Sequence, residues 1–311
     1  MSRGRGVGAA CLLFLLAPLV GEYVLGNVPL SSIGGLVVLA PMYGGGAVLI
    51  REVARRTGRG WPTMLVLGLA YGVLEAGLLD QSMFNPSFEG HDFHAVTPVP
   101  ALGISALNAY SFVVGHAVWS IGVPIALVET LARDRRTAPW LGRVGLTVFS
   151  LVFVAGSFVV FRALYREEGF LATPGQRIGA AVVVVALVVS ALLVRPRTRV
   201  ERRVPGTWAV GIGVFLASSV FVLFPESWTG LWVKIAWTVV VAFVLLWWGR
   251  STRWGAGHRF AAAAGTLVTY TWLGWILVEK STGPLVAHAV LVVLVWVFLV
   301  VVGTRAVRAG S

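Results

Sequence analysis

The chain has 311 residues, 57% apolar and only 12% charged, with a net charge of +12 and a single cysteine. A soluble protein of this length carries about twice that charge fraction, so a soluble globular enzyme is excluded. One cysteine, Cys11, excludes an intrachain disulfide, and the sequence lacks the short alternating strands of a β-barrel.

Apolar runs of about twenty residues, enough to cross a bilayer as helices, recur from end to end. They predict an all-α, polytopic membrane helix bundle of ten spans: 7–26, 32–50, 61–80, 109–129, 144–165, 178–194, 206–224, 229–249, 259–278 and 284–304. Turn chemistry separates them, at Asn27 to Pro29, Arg59 to Pro62, Pro139, Pro174-Gly175, Pro205, Pro225 and Pro284.

The first span follows Arg3 and Arg5 and carries Glu22 near its end. No small-x-small cleavage site follows it, so it reads as an uncleaved helix. The second span contains "PMYGGGAVLIRE". Its proline and three glycines suit either close helix packing or a locally opened helix beside a cavity. The next segment, "REVARRTGRGWP", reads as a solvated helix end, with Glu52 paired to Arg55 or Arg56 on the helix surface.

The third span carries Tyr71, Glu75 and, at its boundary, Asp80. A loop of 28 residues, Gln81 to Asn108, follows, with His91, Asp92 and His94 in "HDFH" and Phe84, Phe88 and Phe93 as interfacial or capping groups. The fourth span brings Asn108, Tyr110 and His116. Spans five, six, seven and ten are almost wholly Val, Leu, Ala and Phe and read as lipid-facing scaffold. Span nine adds Thr266, Thr269, Tyr270 and Thr271. Lys234 is expected to snorkel to the headgroups, and His288 to bond a neighbouring helix. The chain is thus one integral membrane domain with a polar half, 1–135, and an apolar scaffold half, 136–311. No internal repeat is visible, which counts against transporter folds built from duplicated halves.

Charge sets the orientation. With the N-terminus inside, the inner segments hold 20 of the Lys and Arg residues and the outer ones 5, namely Arg162, Arg166, Arg177, Lys234 and Lys280. Positive segments translocate poorly, so both termini are expected in the cytoplasm of a plasma membrane. The net charge is therefore a topology signal and gives no reason to expect nucleic acid.

In that frame Glu75 lies roughly 7 Å below the outer boundary and His116 roughly 10 Å below it, at 1.5 Å per residue. Glu22 points to the same leaflet. Ionisable groups inside spans are costly and mark a cavity or a partner. Glu75 is the expected general base, with a neutral structural group bonded to Tyr71 as the alternative. His116 is the expected second acid–base group or a metal ligand. Glu22, Tyr71, Asp80, Asp92 and Asn108 are candidate substrate-binding or supporting residues. His91 and His94, three apart, are candidate ligands for a divalent metal such as zinc.

The stretches "EAGLLD", with Glu75, and "FVVGH", giving Phe112-x-x-x-His116, resemble motifs of the CAAX-protease and bacteriocin-processing intramembrane family. That resemblance implies a glutamate and histidine that activate water within the membrane. The match runs from Glu75 to His116. Ala76 stands where the family has a second glutamate, and no H-x-x-x-N motif follows. Together these readings predict an intramembrane hydrolase or transferase, open to the outer side, acting on a lipid, a lipid-linked group or a membrane peptide. The alternatives are a proton-coupled transporter and a non-catalytic protein that binds a partner through the outer loop.

Overall fold

A computed structural model describes residues 3–195 and 198–307. Arg197 and Arg308 of the charge count lie outside the described residues. Ten long helices follow one another: α1 Gly6–Val24, α2 Leu30–Arg56, α3 Trp61–Leu79, α4 Ala106–Leu131, α5 Arg143–Glu168, α6 Pro174–Leu193, α7 Thr207–Leu223, α8 Trp228–Gly249, α9 Ala256–Leu277 and α10 Thr282–Ala306. Among the described residues, nine helices are long and apolar enough to cross a membrane. The shorter α7, closed off by Pro205 and Pro225, has 17 residues and a length of about 26 Å. A two-stranded hairpin, β1 Pro98–Val99 with β2 Ile104–Ser105, lies in the long loop.

The helices are unequally buried. In α3 and α4, 61% of the apolar window is enclosed, against 17% in α5, 11% in α6, 17% in α8 and 22% in α10. The peripheral helices present bare Val144, Val182, Trp232, Phe243 and Val300. So much continuous apolar surface is tolerable only against lipid. Two cores lie inside. One joins Ala10, Leu13 and Ala17 of α1 to Met42 and Ala47 of α2, Met64 and Leu67 of α3, and Ile121 and Ile125 of α4. The other joins Val20 and Tyr23 of α1 to Trp119 and Leu127 of α4, Leu267 and Tyr270 of α9, and Leu291 and Leu299 of α10.

Small residues let these backbones meet. A Cβ on Gly44 would overlap the Phe14 carbonyl of α1, and one on Gly46 would stand 2.6 Å from the Tyr71 ring. The glycine run of α2 is thus a packing surface. Between α3 and α4, a Cβ on Gly72 would lie 2.7 Å from the Val113 carbonyl oxygen, and one on Gly68 3.1 Å from Ala117 Cα. Gly72→Leu is therefore expected to wedge α3 off α4. The obstacle is backbone, so the loss should reach at least about 3 kcal/mol, the upper end of overpacking. Thermal unfolding of the purified protein measures it.

The segment from Arg51 to Arg56 departs from its expected solvated state. Arg51, Glu52 and Glu129 are fully buried. α2 runs on past the expected boundary at 50, and the α4–α5 loop folds over its end. Arg55 forks onto Glu129, Nε at 2.8 Å and Nη2 at 2.6 Å, instead of pairing with Glu52. Glu52 still meets Arg56 at 3.2 Å, but it also accepts the backbone N–H groups of Trp140 (2.7 Å) and Leu141 (3.3 Å).

Lys234 and His288 also find places. Lys234 does not snorkel: it is buried, with its ammonium 4.8 Å from the centre of the Phe221 ring, which shields it by a cation–π contact. His288 is buried against the edge of Trp275, 5.1 Å between ring centres, and packs onto Gly274 of α9. The threonines of α9 serve packing as well. Thr269 meets Ser218 of α7 at 2.6 Å, and the Thr266 carbonyl accepts from Trp119 Nε1 at 2.9 Å.

Candidate functional site

Four helices each contribute one polar side chain to a single cluster, and each is deformed where it does so. The backbone widens to i→i+5 hydrogen bonding over Leu19–Val24 in α1, Ala40–Gly44 in α2, Glu75–Leu79 in α3 and His116–Gly122 in α4. Such π-turns are rare and frequent at functional sites. Proline explains three of them, because it removes an intrahelical donor. Pro18 precedes the first, Pro41 lies in the second, and Pro124 follows the fourth. The widened turns hold Glu22, Tyr43, Glu75 and His116.

Tyr43 is the hub. Its hydroxyl lies 2.6 Å from Glu22 Oε1, 2.9 Å from Glu75 Oε1 and 3.2 Å from His116 Nε2. Glu75 Oε2 stands 2.9 Å from His116 Nε2. The close approach of α3 and α4 at Gly68 and Gly72 sets that distance. On its far side the imidazole is fixed by Nδ1, 2.7 Å from the Phe112 carbonyl. A carbonyl only accepts, so Nδ1 carries a proton and Nε2 faces the acids.

The Tyr43 hydroxyl has one hydrogen for two carboxylate oxygens, at 2.6 Å and 2.9 Å, so Glu22 and Glu75 share a further proton that one of them donates to it. That proton removes one negative charge from the low-dielectric bundle.

Glu75 is buried with a side-chain exposure of 4%, while His116 keeps 15% and Glu22 is also partly exposed. The cluster therefore opens on the Glu22–His116 side. Asn27 Nδ2 donates to Glu22 Oε2 there at 3.3 Å. Tyr71 is packed into the site, 6.2 Å ring to ring from His116 and 5.9 Å from Tyr43. Its buried hydroxyl has no hydrogen-bond partner, and Glu75 takes Tyr43 as its phenol partner.

The remaining expected residues lie around the cluster or away from it. Asp80 ends α3 and accepts from the Ser82 N–H (2.9 Å) and hydroxyl (3.0 Å), within electrostatic reach of Glu75 and His116. Asp92 closes a loop turn by accepting from the Ala95 N–H at 3.1 Å. Asn108 donates to the Phe93 carbonyl at 2.6 Å and ties the loop to the start of α4. His91 is exposed and stacks on Phe93, and His94 holds a buried Nε2 without a partner. Among the described residues no three His, Cys, Asp or Glu side chains are grouped so as to hold a metal ion. His91 and His94 thus gain no third ligand.

The loop packs beside the site. Phe93 meets Phe112 edge-on at 5.4 Å, one turn from His116. Gln81 accepts from the Ala172 N–H at 2.7 Å, and Glu168 accepts from Asn85 (2.9 Å) and the Glu89 N–H (3.1 Å). Those bonds fasten the loop to α5 and the α5–α6 link.

The fold and this cluster define a multi-pass α-helical membrane protein with a buried Glu–Tyr–Glu–His centre in its first four helices. The chain belongs to an uncharacterized membrane protein family, whose model matches residues 11–310. No curated protein and no solved structure matches it.

Proposed function

We propose that this protein is a cell-membrane hydrolase or transferase, with both termini cytoplasmic and its Glu22–Tyr43–Glu75–His116 centre in the outer half of the bilayer. The observation that carries the reading is the 2.9 Å approach of Glu75 to an imidazole already held on its other nitrogen. This is the geometry of a base with an oriented acid partner.

Glu75 takes a proton from water, or from an acceptor alcohol in a transferase, and the oxygen attacks an acyl or phosphoryl centre. The His116 Nε2 proton goes to the departing oxygen, or to the departing amine nitrogen when the substrate is a peptide. Transfer from Glu75 to Nε2 across their short contact restores the starting state. Tyr43 keeps the second carboxylate, Glu22, in the same hydrogen-bonded chain. The substrate is a lipid, lipid-linked group or membrane peptide, reaching the centre past partly exposed Glu22 and His116. The likeness of "FVVGH" to the CAAX-protease and bacteriocin-processing family supports acid–base chemistry at His116.

An enzyme is favoured over a proton-coupled transporter by what lies deeper. Beyond His116 along α4, Ser120 is buried with its hydroxyl against Gly21. Glu129 follows, and both its oxygens are held by arginine. Along α4 the residues between them, Ile121 to Val128, offer a leaving proton no polar side chain.

Comparison of lipid extracts tests the proposal. Cells producing the His116→Asn protein should accumulate one lipid or lipid-linked species that the wild type consumes. Identical lipid extracts and identical membrane-peptide profiles by mass spectrometry would remove the hydrolase and transferase readings together. Orientation is tested separately. An impermeant thiol reagent should modify a cysteine placed at Ser87 in intact cells and spare one placed at Gly58. Labelling at 58 would place the centre on the opposite side.

A further inference from the structure

The arginine-rich end of the bundle carries more positive charge than its carboxylates neutralise, and two loops and the first turn of α9 concentrate it. The α4–α5 loop carries Arg136, whose carbonyl is held by Arg51 Nη2 at 2.9 Å. The α6–α7 loop carries Arg199. Its neighbour Val200 donates to the Arg250 carbonyl and accepts from the Thr252 N–H, both at 3.0 Å. Arg259 lies in the first turn of α9. Phe260, Ala263 and Leu267 pack that helix on Val123, Ala126 and Leu127 of α4, which brings Arg259 to the end of α4. Arg55, Arg136, Arg199 and Glu129 all stand within its electrostatic reach.

Glu129 is the carboxylate in that set, and Arg51 and Arg55 occupy both its oxygens. Nearby Glu201 is taken by Arg253 at 2.9 Å. Among the described residues, Arg136, Arg199 and Arg259 form no ion pair. Arg259 Nη1 reaches only the Trp254 carbonyl at 3.4 Å, and its Nη2 is buried without a hydrogen-bond partner. A buried guanidinium nitrogen left unpaired costs its full desolvation. The positive-inside pattern explains arginines in loops, but it does not explain one folded inward among like charges.

We propose that Arg136, Arg199 and Arg259 form a binding site for a phosphate group. Guanidinium forks match phosphate oxygens two at a time, so the unpaired Arg259 Nη2, with Arg136 and Arg199 of two loops in its electrostatic reach, suits a tetrahedral anion. Arg259 begins a membrane span, so the site lies at headgroup height. An anionic phospholipid or a soluble phosphate compound presents the same group there.

The full-length protein, purified in zwitterionic lipid, tests this by native mass spectrometry and thermal unfolding. With phosphatidylglycerol added, the wild type should retain it over phosphatidylcholine by at least about tenfold, the worth of one charge-assisted pair. The Arg136→Gln/Arg259→Gln protein should lose that preference. Arg253→Gln, outside the site, should keep it. Stabilisation of the wild type by inorganic phosphate alone would assign the ligand to solution and uphold the site. If the double variant does not purify as a folded species, Arg199→Gln carries the test, since its side chain is exposed and should cost about threefold. Equal retention of both lipids by the wild type, with no response to phosphate, would overturn the proposal. So would an unchanged preference in the variants.

Discussion

Replacing Glu75 with glutamine is expected to abolish function, by at least about 10²-fold, while leaving insertion and thermal stability nearly unchanged. The amide keeps the size of the side chain and can still bond the Tyr43 hydroxyl, now 2.9 Å from Oε1. It can also accept from His116 Nε2. What it cannot do is gain and lose a proton, so the proton taken from water has no acceptor at this position. If Glu75 is only a structural acceptor, glutamine is a fair replacement and activity should survive. If the centre carries protons for transport, glutamine should stop proton movement into vesicles, read with a pH-sensitive dye, while substrate exchange continues. A Glu75→Gln protein with a wild-type lipid profile and wild-type proton movement would withdraw the base assignment. Tyr43→Phe is the matching control for the hub: it breaks the link to Glu22 and leaves the Glu75–His116 contact in place.

How much of this was legible before any coordinates depends on the residue. Helix rise alone put Glu75 and His116 at similar depth from one boundary, and Glu22 near it, because those three sit in long uninterrupted apolar runs. Tyr43 belongs to the same centre, and the sequence marks it as one of the polar groups of the first four spans without a site role, since a tyrosine in a span is ordinarily a packing residue. The signal was beside it: Pro41 removes a helical donor and opens the turn that lets the phenol reach across three helices. Asp92 and Asn108 looked equally polar on paper. Their partners are backbone groups of their own loop, which spacing does not reveal. The arginine run at the end of α2 misled for the opposite reason. Positive residues at a span end satisfy the topology rule whether they face water or not, and only the fold of the loop from Arg135 to Leu141 decides between them.

That buried arginine centre should be the most damaging place to break the protein. Arg51 is fully enclosed and spends every part of its guanidinium: Nε on Glu129 at 3.1 Å, Nη1 on Glu52 at 2.9 Å, and Nη2 on the carbonyls of Arg135, Arg136 and Ala138 at 3.1, 2.9 and 2.9 Å. Its plane also lies 3.4 Å over the Trp140 ring. Removing the negative partner is worse than removing the pair, because an uncompensated buried cation remains. Glu129→Gln is therefore expected to cost about 3–5 kcal/mol and to lower the unfolding temperature sharply. It strips the counter-charge from Arg55 and leaves Arg51 to share Glu52 with Arg56. Arg51→Met with Glu129→Leu, which removes charge of both signs, should be milder than Glu129→Gln alone. The α4–α5 loop would still loosen, since the carbonyls of Arg135, Arg136 and Ala138 lose their donor, and protease cleavage near residue 137 should rise. Equal unfolding temperatures for Glu129→Gln and the wild type would mean that water reaches these charges, and that this end of the bundle is open where the side-chain packing has it closed.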